Sequence, residues 1–203
     1  MSYDSVFGTL KAMLNFQPDY IFDTFVVTPN NEMAFSAANA IVDEMGTRFN
    51  PFFLYGAFGS GKTHLLHAIG NAAIKKRTGL RILLVSGRDF AADIATGLKR
   101  HKLPIGLKKP MTTFYQHYQN YDLLMIDGLE AIAYDDVAQN VALRLFDAVQ
   151  KHNGQIIATT RVPTHRFPVM ESYFREAYTT ELIGEILAPE ALVKNRHLLW
   201  RAE

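Results

Sequence analysis

The chain has 203 residues, 48% of them hydrophobic, with 21 Lys and Arg against 20 Asp and Glu. That length suits one α/β domain with a short appendage, and the near-neutral balance excludes a uniformly basic nucleic-acid binder, so any such surface is local. The absence of cysteine excludes disulfides and thiolate metal sites, and no apolar run reaches the length of a membrane span, so a cytoplasmic protein without membrane attachment is expected.

Residues 1–15 carry a weak apolar pattern (Val6, Phe7, Leu10, Leu14) and read as an N-terminal arm. A core follows over residues 16–188. Pro29-Asn30-Asn31 reads as the turn and cap of a helix over residues 32–45. Phe52-Phe53-Leu54-Tyr55 is an apolar run of strand length opened by Pro51.

Behind that strand comes Gly56-Ala57-Phe58-Gly59-Ser60-Gly61-Lys62-Thr63, which meets the template G-x-x-x-x-G-K-[ST]. The helix expected over residues 64–77 places Leu65, Ile69, Ala72 and Ala73 on one side. A glycine-rich loop between strand and helix lets backbone N–H groups converge on phosphate oxygens beside the positive end of the helix dipole. Gly56, Gly59, Ser60, Gly61, Lys62, Thr63 and His64 are therefore the candidate nucleotide-binding residues. Lys62 would reach the β- and γ-phosphates, and the Thr63 hydroxyl would ligate Mg²⁺.

Further along, a strand is expected over residues 81–85 and a helix over residues 89–101, where Phe90, Ile94 and Leu98 recur at helical spacing. From Ile94 to Tyr121 there is no acidic residue, while Lys99, Arg100, Lys102, Lys108 and Lys109 cluster with His101, followed by Phe114, Tyr115, Tyr118 and Tyr121. Cations beside aromatic rings suit single-stranded nucleic acid. The competing reading is a solvated basic loop with aromatics that pack into the core.

The run Leu123-Leu124-Met125-Ile126-Asp127 has the continuous apolar character of a buried parallel strand and ends in an acid that would hold Mg²⁺. Many ATPases of this architecture follow with a second carboxylate that orients the attacking water. Here that position is Gly128, which predicts slow hydrolysis unless Glu130 or Asp136 substitutes. A helix over residues 136–152, with Val137, Val141, Leu145 and Val149 inward, precedes a strand over residues 155–160. Thr159 and Thr160 at its end are candidates to touch the γ-phosphate or its water, or else simply bond their own backbone. A helix is expected around residues 165–173, a fifth strand over 180–187 and a final helix over 189–203. The candidate catalytic set is thus Asp127, Glu130 and Thr160. Strands alternating with helices imply a parallel sheet flanked by helices. His64 and His67, three apart on a helix without further ligands nearby, read as surface or packed imidazoles rather than a metal pair.

Taken together, Tyr20-Ile21-Phe22-Asp23-Thr24-Phe25-Val26-Val27, Asn50-Pro51, the run from Gly59 through Thr63-His64-Leu65-Leu66-His67-Ala68-Ile69-Gly70-Asn71, and Asp122 to Asp127 resemble the AAA+ domain of the bacterial replication initiators, the DnaA family. The resemblance implies a P-loop NTPase of AAA+ type with a five-stranded parallel sheet, ATP or ADP with Mg²⁺, and adenine near Phe25 and Val27. It also implies homo-oligomers in which neighbours complete each other's sites, and single-stranded DNA at residues 99–109. Against the family pattern, Gly128 replaces an acid, Arg161 stands where an acid follows the fourth strand, and the neighbour-reaching arginine aligns near Ala177, leaving Arg175 as its substitute. Residues 189–203 align with the start of the helical lid, so lid and duplex-binding domain are expected to be missing. The expected function is an ATP-binding, DnaA-like switch in replication initiation or its regulation, with weak or no hydrolysis. The alternatives are a competent ATPase of helicase-loader type and a non-catalytic regulator that binds initiator or helicase proteins.

Overall fold

The structure, a computed structural model, describes residues 16–100, 110–173 and 183–185. The expectations for residues 1–15, 101–109 and 189–203, and for Arg175, lie outside these.

Five strands, β1 (Phe52–Tyr55), β2 (Ile82–Ser86), β3 (Leu123–Asp127), β4 (Gln155–Thr160) and β5 (Ile183–Glu185), form one sheet in the order β2-β3-β4-β1-β5. All pairings are parallel, with Asp127 opposite Thr159 and Tyr55 opposite Thr160. The carboxyl ends of β1, β3 and β4 thus lie side by side. Helices α1 (Glu32–Asp43), α2 (Lys62–Lys76), α3 (Gly87–Arg100), α4 (Pro110–Tyr118) and α5 (Asp136–Lys151) cover both faces.

Successive strand residues point to opposite faces, so β1 to β4 each feed two cores. Phe53, Leu124, Ile126, Ile156 and Ala158 pack with α3, α4 and α5. Phe52, Leu54, Leu123, Met125 and Ile157 pack with α1, α2 and the segment around Phe16 and Phe25. This double burial is why these strands read as unbroken apolar runs rather than alternating ones.

Two expectations are corrected, and of the two readings of the aromatics the packed one is found for Phe114 and Tyr118. On α5 the inward stripe is Ala138, Val141, Ala142, Leu145 and Val149, whereas Val137 is 56% exposed; the stripe turns about a hundred degrees per residue, so a strict four-residue spacing drifts off it. Around residues 165–173 a short 3₁₀ turn (Thr164–Arg166) stands first, with helix only at residues 171–173. Phe114 and Tyr118 are buried against Phe90, and the Tyr118 hydroxyl donates to Asp93 Oδ2 at 2.6 Å. These two rings are therefore core and offer no face for a base. Tyr115 and Tyr121 are half-buried, and Lys99 is exposed near the end of α3.

Asn50 ties the entrance of β1 to β4. Its Oδ1 accepts from Ile156 N–H at 3.0 Å and its Nδ2 donates to the Gly154 carbonyl at 2.8 Å, as a strand residue's backbone would. The register that sets Leu54 beside Thr159 and Tyr55 beside Thr160 is anchored from this end.

Candidate functional site: the loop and the acid edge

The loop leaves β1 at Gly56, whose N–H donates to the Thr160 carbonyl at 3.3 Å and continues the ladder for one more residue. It then turns through left-handed conformations at Gly59 (φ +75°) and Gly61 (φ +100°), which a side chain disfavours. At Gly61 a Cβ would also stand 3.0 Å from the Phe25 ring. Gly61 opens α2, whose first N–H groups have no intrahelical acceptor and face outward as donors for an anion.

Lys62 is 7% exposed, and among the described residues its ammonium donates only to the Ala57 carbonyl at 2.7 Å and the Ser60 hydroxyl at 3.3 Å. Burial holds its pKa below the usual lysine value, partly offset by the Glu130 and Asp127 carboxylates and reinforced by the Arg161 charge. A buried cation without a direct anionic partner is poised to take one.

Across from it, Asp127 accepts from two hydroxyls: Thr63 at 3.0 Å on Oδ2 and Thr159 at 2.6 Å on Oδ1. Thr159 in turn accepts from the Gly128 N–H at 2.9 Å. The two predicted magnesium ligands, Thr63 and Asp127, are thus in contact. Their hard oxygen atoms fit a divalent cation completed by phosphate and water, and among the described residues no cluster of three or more His, Cys, Asp or Glu offers an all-protein cage. Thr160 turns away: its hydroxyl donates to the Val162 carbonyl and accepts from the Val162 N–H, both at 3.2 Å, so Thr159 is the β4 threonine at the site. A strand's alternation sends only one of two adjacent side chains to a given face.

Gly128 has φ +97°, and a Cβ on Gly87 would lie 1.8 Å from the Gly128 carbonyl oxygen. The position of the missing acid is therefore a close backbone contact between the start of α3 and the end of β3. Glu130, the substitute base, is tied to Arg161, whose Nε donates to Oε1 at 2.6 Å and whose main-chain N–H donates to Oε2 at 3.3 Å. Asp136 is exposed in the first turn of α5 and away from the cavity.

The cavity between loop and acid edge measures about 610 Å³ and is walled by Tyr20, residues 58–64, Asp127, Gly128, Glu130, Thr159 and Arg161. Neither Phe25 nor Val27 lines it. Phe25 is core, stacked on Phe35 and packed edge-on to His64, while Val27 is 45% exposed to solvent. The cavity's aromatic lining is instead Tyr20, stacked on His64 at 4.7 Å, with the exposed Phe58 on the loop.

That wall explains the run following Lys62-Thr63. His64 Nε2–H donates to the Ile21 carbonyl at 3.0 Å, His67 Nδ1 accepts from the Gln17 N–H at 3.2 Å, and Asn71 donates to the Gln17 and Tyr20 carbonyls at 2.9 and 3.0 Å. At Gly70 a Cβ would meet the Phe16 ring at 2.2 Å. One face of α2 is thus a dock for residues 16–24. The spacing of His64, His67 and Asn71 on one helical stripe is the sequence signal for it.

A family model described as the bacterial DnaA ATPase domain matches residues 16–185. The chromosomal replication initiator protein DnaA of Thermus thermophilus is 33% identical over 186 residues, which are 92% of this chain and 41% of that protein. The chain thus spans about two fifths of that curated relative. A solved structure of the replication initiator DnaA bound to AMPPCP and single-stranded DNA superimposes with a TM-score of 0.67 at 27% identity, covering 85% of this chain and 51% of that one. The DnaC helicase loader, at 18% identity and a TM-score of 0.63, covers 84% of this chain and 99% of its own; it shares the fold.

Proposed function

We infer the function from one premise: the chain belongs to the family of bacterial DnaA ATPase domains. Its activity is ATP-dependent switching in replication initiation or the regulation of initiation, with nucleotide binding intact and hydrolysis weak. The observation that carries this reading is the pairing of an underpartnered Lys62 with an acid edge whose second carboxylate position is the left-handed Gly128.

In this reading the α2 N–H groups and Lys62 hold the β- and γ-phosphates, and the base lies toward the Tyr20–His64 pair. Mg²⁺, held by Thr63 and Asp127 with water, would neutralise phosphate charge when bound. Asp127 is already oriented from both sides by hydroxyls, so the metal site is pre-organised. Orienting a water for in-line attack needs a free carboxylate, and Glu130 has both oxygens engaged by Arg161. Assembly with initiator or helicase proteins, self-association, cytoplasmic location and single-stranded DNA near Lys99 belong to the same reading; among the described residues no helix is long and apolar enough to cross a membrane.

Single-turnover hydrolysis recorded beside binding tests it. ATP should bind with negligible turnover, and Lys62→Met should weaken ATP and ADP by roughly a hundredfold. The same substitution should leave the unliganded protein equally stable or more so, because it removes a desolvated charge. Brisk Mg²⁺-dependent turnover by the unmodified protein would overturn the switch and favour a loader-type ATPase.

A further inference from the structure

The acid edge is held from a point that the cavity does not reach. Gln139, on α5, is wholly buried, yet its side-chain amide is fully committed. Nε2 donates to the Ile132 carbonyl at 3.1 Å and the Ala133 carbonyl at 2.8 Å, and Oε1 accepts from the Val169 N–H at 3.1 Å and the Met170 N–H at 3.4 Å. These bonds use both amide hydrogens and both lone pairs of the oxygen.

What the amide joins matters more than its being satisfied. The two carbonyls lie at the end of the 3₁₀ turn Leu129–Ile132, which leaves β3 and carries Glu130. The two N–H groups lie in the stretch that leaves β4 through Arg161. Glu130 and Arg161 pair across the near end of the same two segments. The chain leaving β3 and the chain leaving β4 are thus cross-linked twice, by an ion pair at the cavity and by a buried amide behind it. The Arg161 side chain is 54% exposed, so the ion pair lends little rigidity. The amide is dry, where each hydrogen bond holds more firmly.

From this anchor the turn leads back to Asp127. The Ala133 N–H donates to the Glu130 carbonyl at 3.1 Å and the Ala131 N–H to the Gly128 carbonyl at 3.2 Å, so the turn is closed on itself. The Gly128 N–H donates to the Thr159 hydroxyl at 2.9 Å, and that hydroxyl donates to Asp127 Oδ1 at 2.6 Å. Asp127 is therefore aimed by a hydroxyl that Gly128 orients, and Gly128 belongs to the turn that Gln139 holds.

We propose that Gln139 is a positioning residue of the metal-binding edge: it fixes the turn after β3 and, through Gly128 and Thr159, the direction of Asp127 toward a divalent cation. The proposal rests on the nucleotide reading given above and adds the residue that sets its metal half in advance. Gln139 is not among the residues that wall the cavity, so it acts through others and touches no ligand. Lys62 and the first N–H groups of α2 lie outside this path and hold phosphate without it. The loop's share of nucleotide affinity is therefore separable from the share that Mg²⁺ adds at the edge.

The test is calorimetric titration of the full chain with AMPPCP, once with Mg²⁺ and once with EDTA; the ratio of the two affinities measures what the edge adds. Gln139→Met keeps the length of the side chain and removes its hydrogen bonds. It should cut that ratio roughly tenfold, the low end of the usual loss when an outer partner of a metal ligand is removed, while the affinity in EDTA stays within about twofold. Gln139→Asn keeps the amide but is too short to span both segments, and should fall between. Thermal unfolding without nucleotide shows whether each variant is folded. Ile41→Ala, buried on α1 in the core on the other face of the sheet, softens the protein away from the edge and should keep the full ratio. If Gln139→Met does not fold, Val169→Pro, which deletes one N–H donor to the amide, carries the test with a loss of roughly two- to threefold in the ratio. A ratio near one in the unmodified protein, an unchanged ratio in the folded variants, equal weakening with Mg²⁺ and with EDTA, or the same fall in Ile41→Ala would overturn the proposal and leave the nucleotide reading standing. If the unmodified protein bound AMPPCP in neither condition, the nucleotide reading itself would fall, and this proposal with it.

Discussion

The phosphate loop and the β3–β4 edge face each other across one cavity, yet their polar groups are committed to different degrees. On the loop side Lys62 holds a carbonyl and a hydroxyl, neutral partners that a phosphate can displace. On the edge side Thr63, Asp127, Thr159 and the Gly128 N–H form a connected chain of hydrogen bonds, and Glu130 is paired with Arg161. The two sides of the cavity are thus held by separate sets of contacts. The loop side keeps the G-x-x-x-x-G-K-T pattern, whereas the acid edge carries close glycine contacts and an ion pair.

The contrast can be broken most forcibly at Gly87, where a Cβ must displace the Gly128 backbone rather than a flexible side chain. Gly87→Ala should destabilise by about 3 kcal/mol, lowering the unfolding midpoint by roughly 6–12 °C for a chain of this size, and weaken AMPPCP as Asp127 shifts. An unchanged midpoint would mean that α3 does not press on the acid edge.

A smaller effect sharpens the comparison. Gly128→Glu restores a carboxylate at the vacant sequence position, but at φ +97°, so the substitution should cost about 1–2 kcal/mol and produce no brisk turnover. If turnover instead rose sharply, the edge would be lacking one group and not rebuilt.

The smallest effect concerns the dock of residues 16–24. Burial lowers the pKa of His67 from its ordinary 6.5, and its Nδ1 must be unprotonated to accept from Gln17. A base with a lowered folded pKa binds fewer protons folded than unfolded. Its contribution is therefore complete above about pH 6.5 and declines as pH falls from there toward the folded value. Thermal unfolding between pH 7.5 and 5 should show that decline, and His67→Gln should flatten it. An identical slope in the variant would remove His67 from the dock's pH response.

Much of this was legible before any fold was known. Strand–loop–helix order, Lys62, Thr63 and Asp127 were readable because turn chemistry and apolar periodicity are properties of neighbouring residues. Thr159 over Thr160 was not: both are threonines, and only the pairing of Asp127 with Thr159 selects one. The aromatics after the basic cluster left two readings open, since a helix that buries Phe114 and Tyr118 has the same composition as one that displays them. Phe25 was expected near the base and packs in the core, while Tyr20 on His64 lines the cavity; stacking across 44 positions has no local signature.

By itself, then, the amino-acid sequence determined that this chain builds a phosphate-binding loop on a parallel sheet and lacks the usual second acid, since both are statements about contiguous residues. Only the tertiary structure decided which partners the remaining side chains take. Glu130 and Arg161 are 31 positions apart, and Gly87 lies against Gly128. Such contacts exist only once sheet order and register bring separate strand ends to one edge.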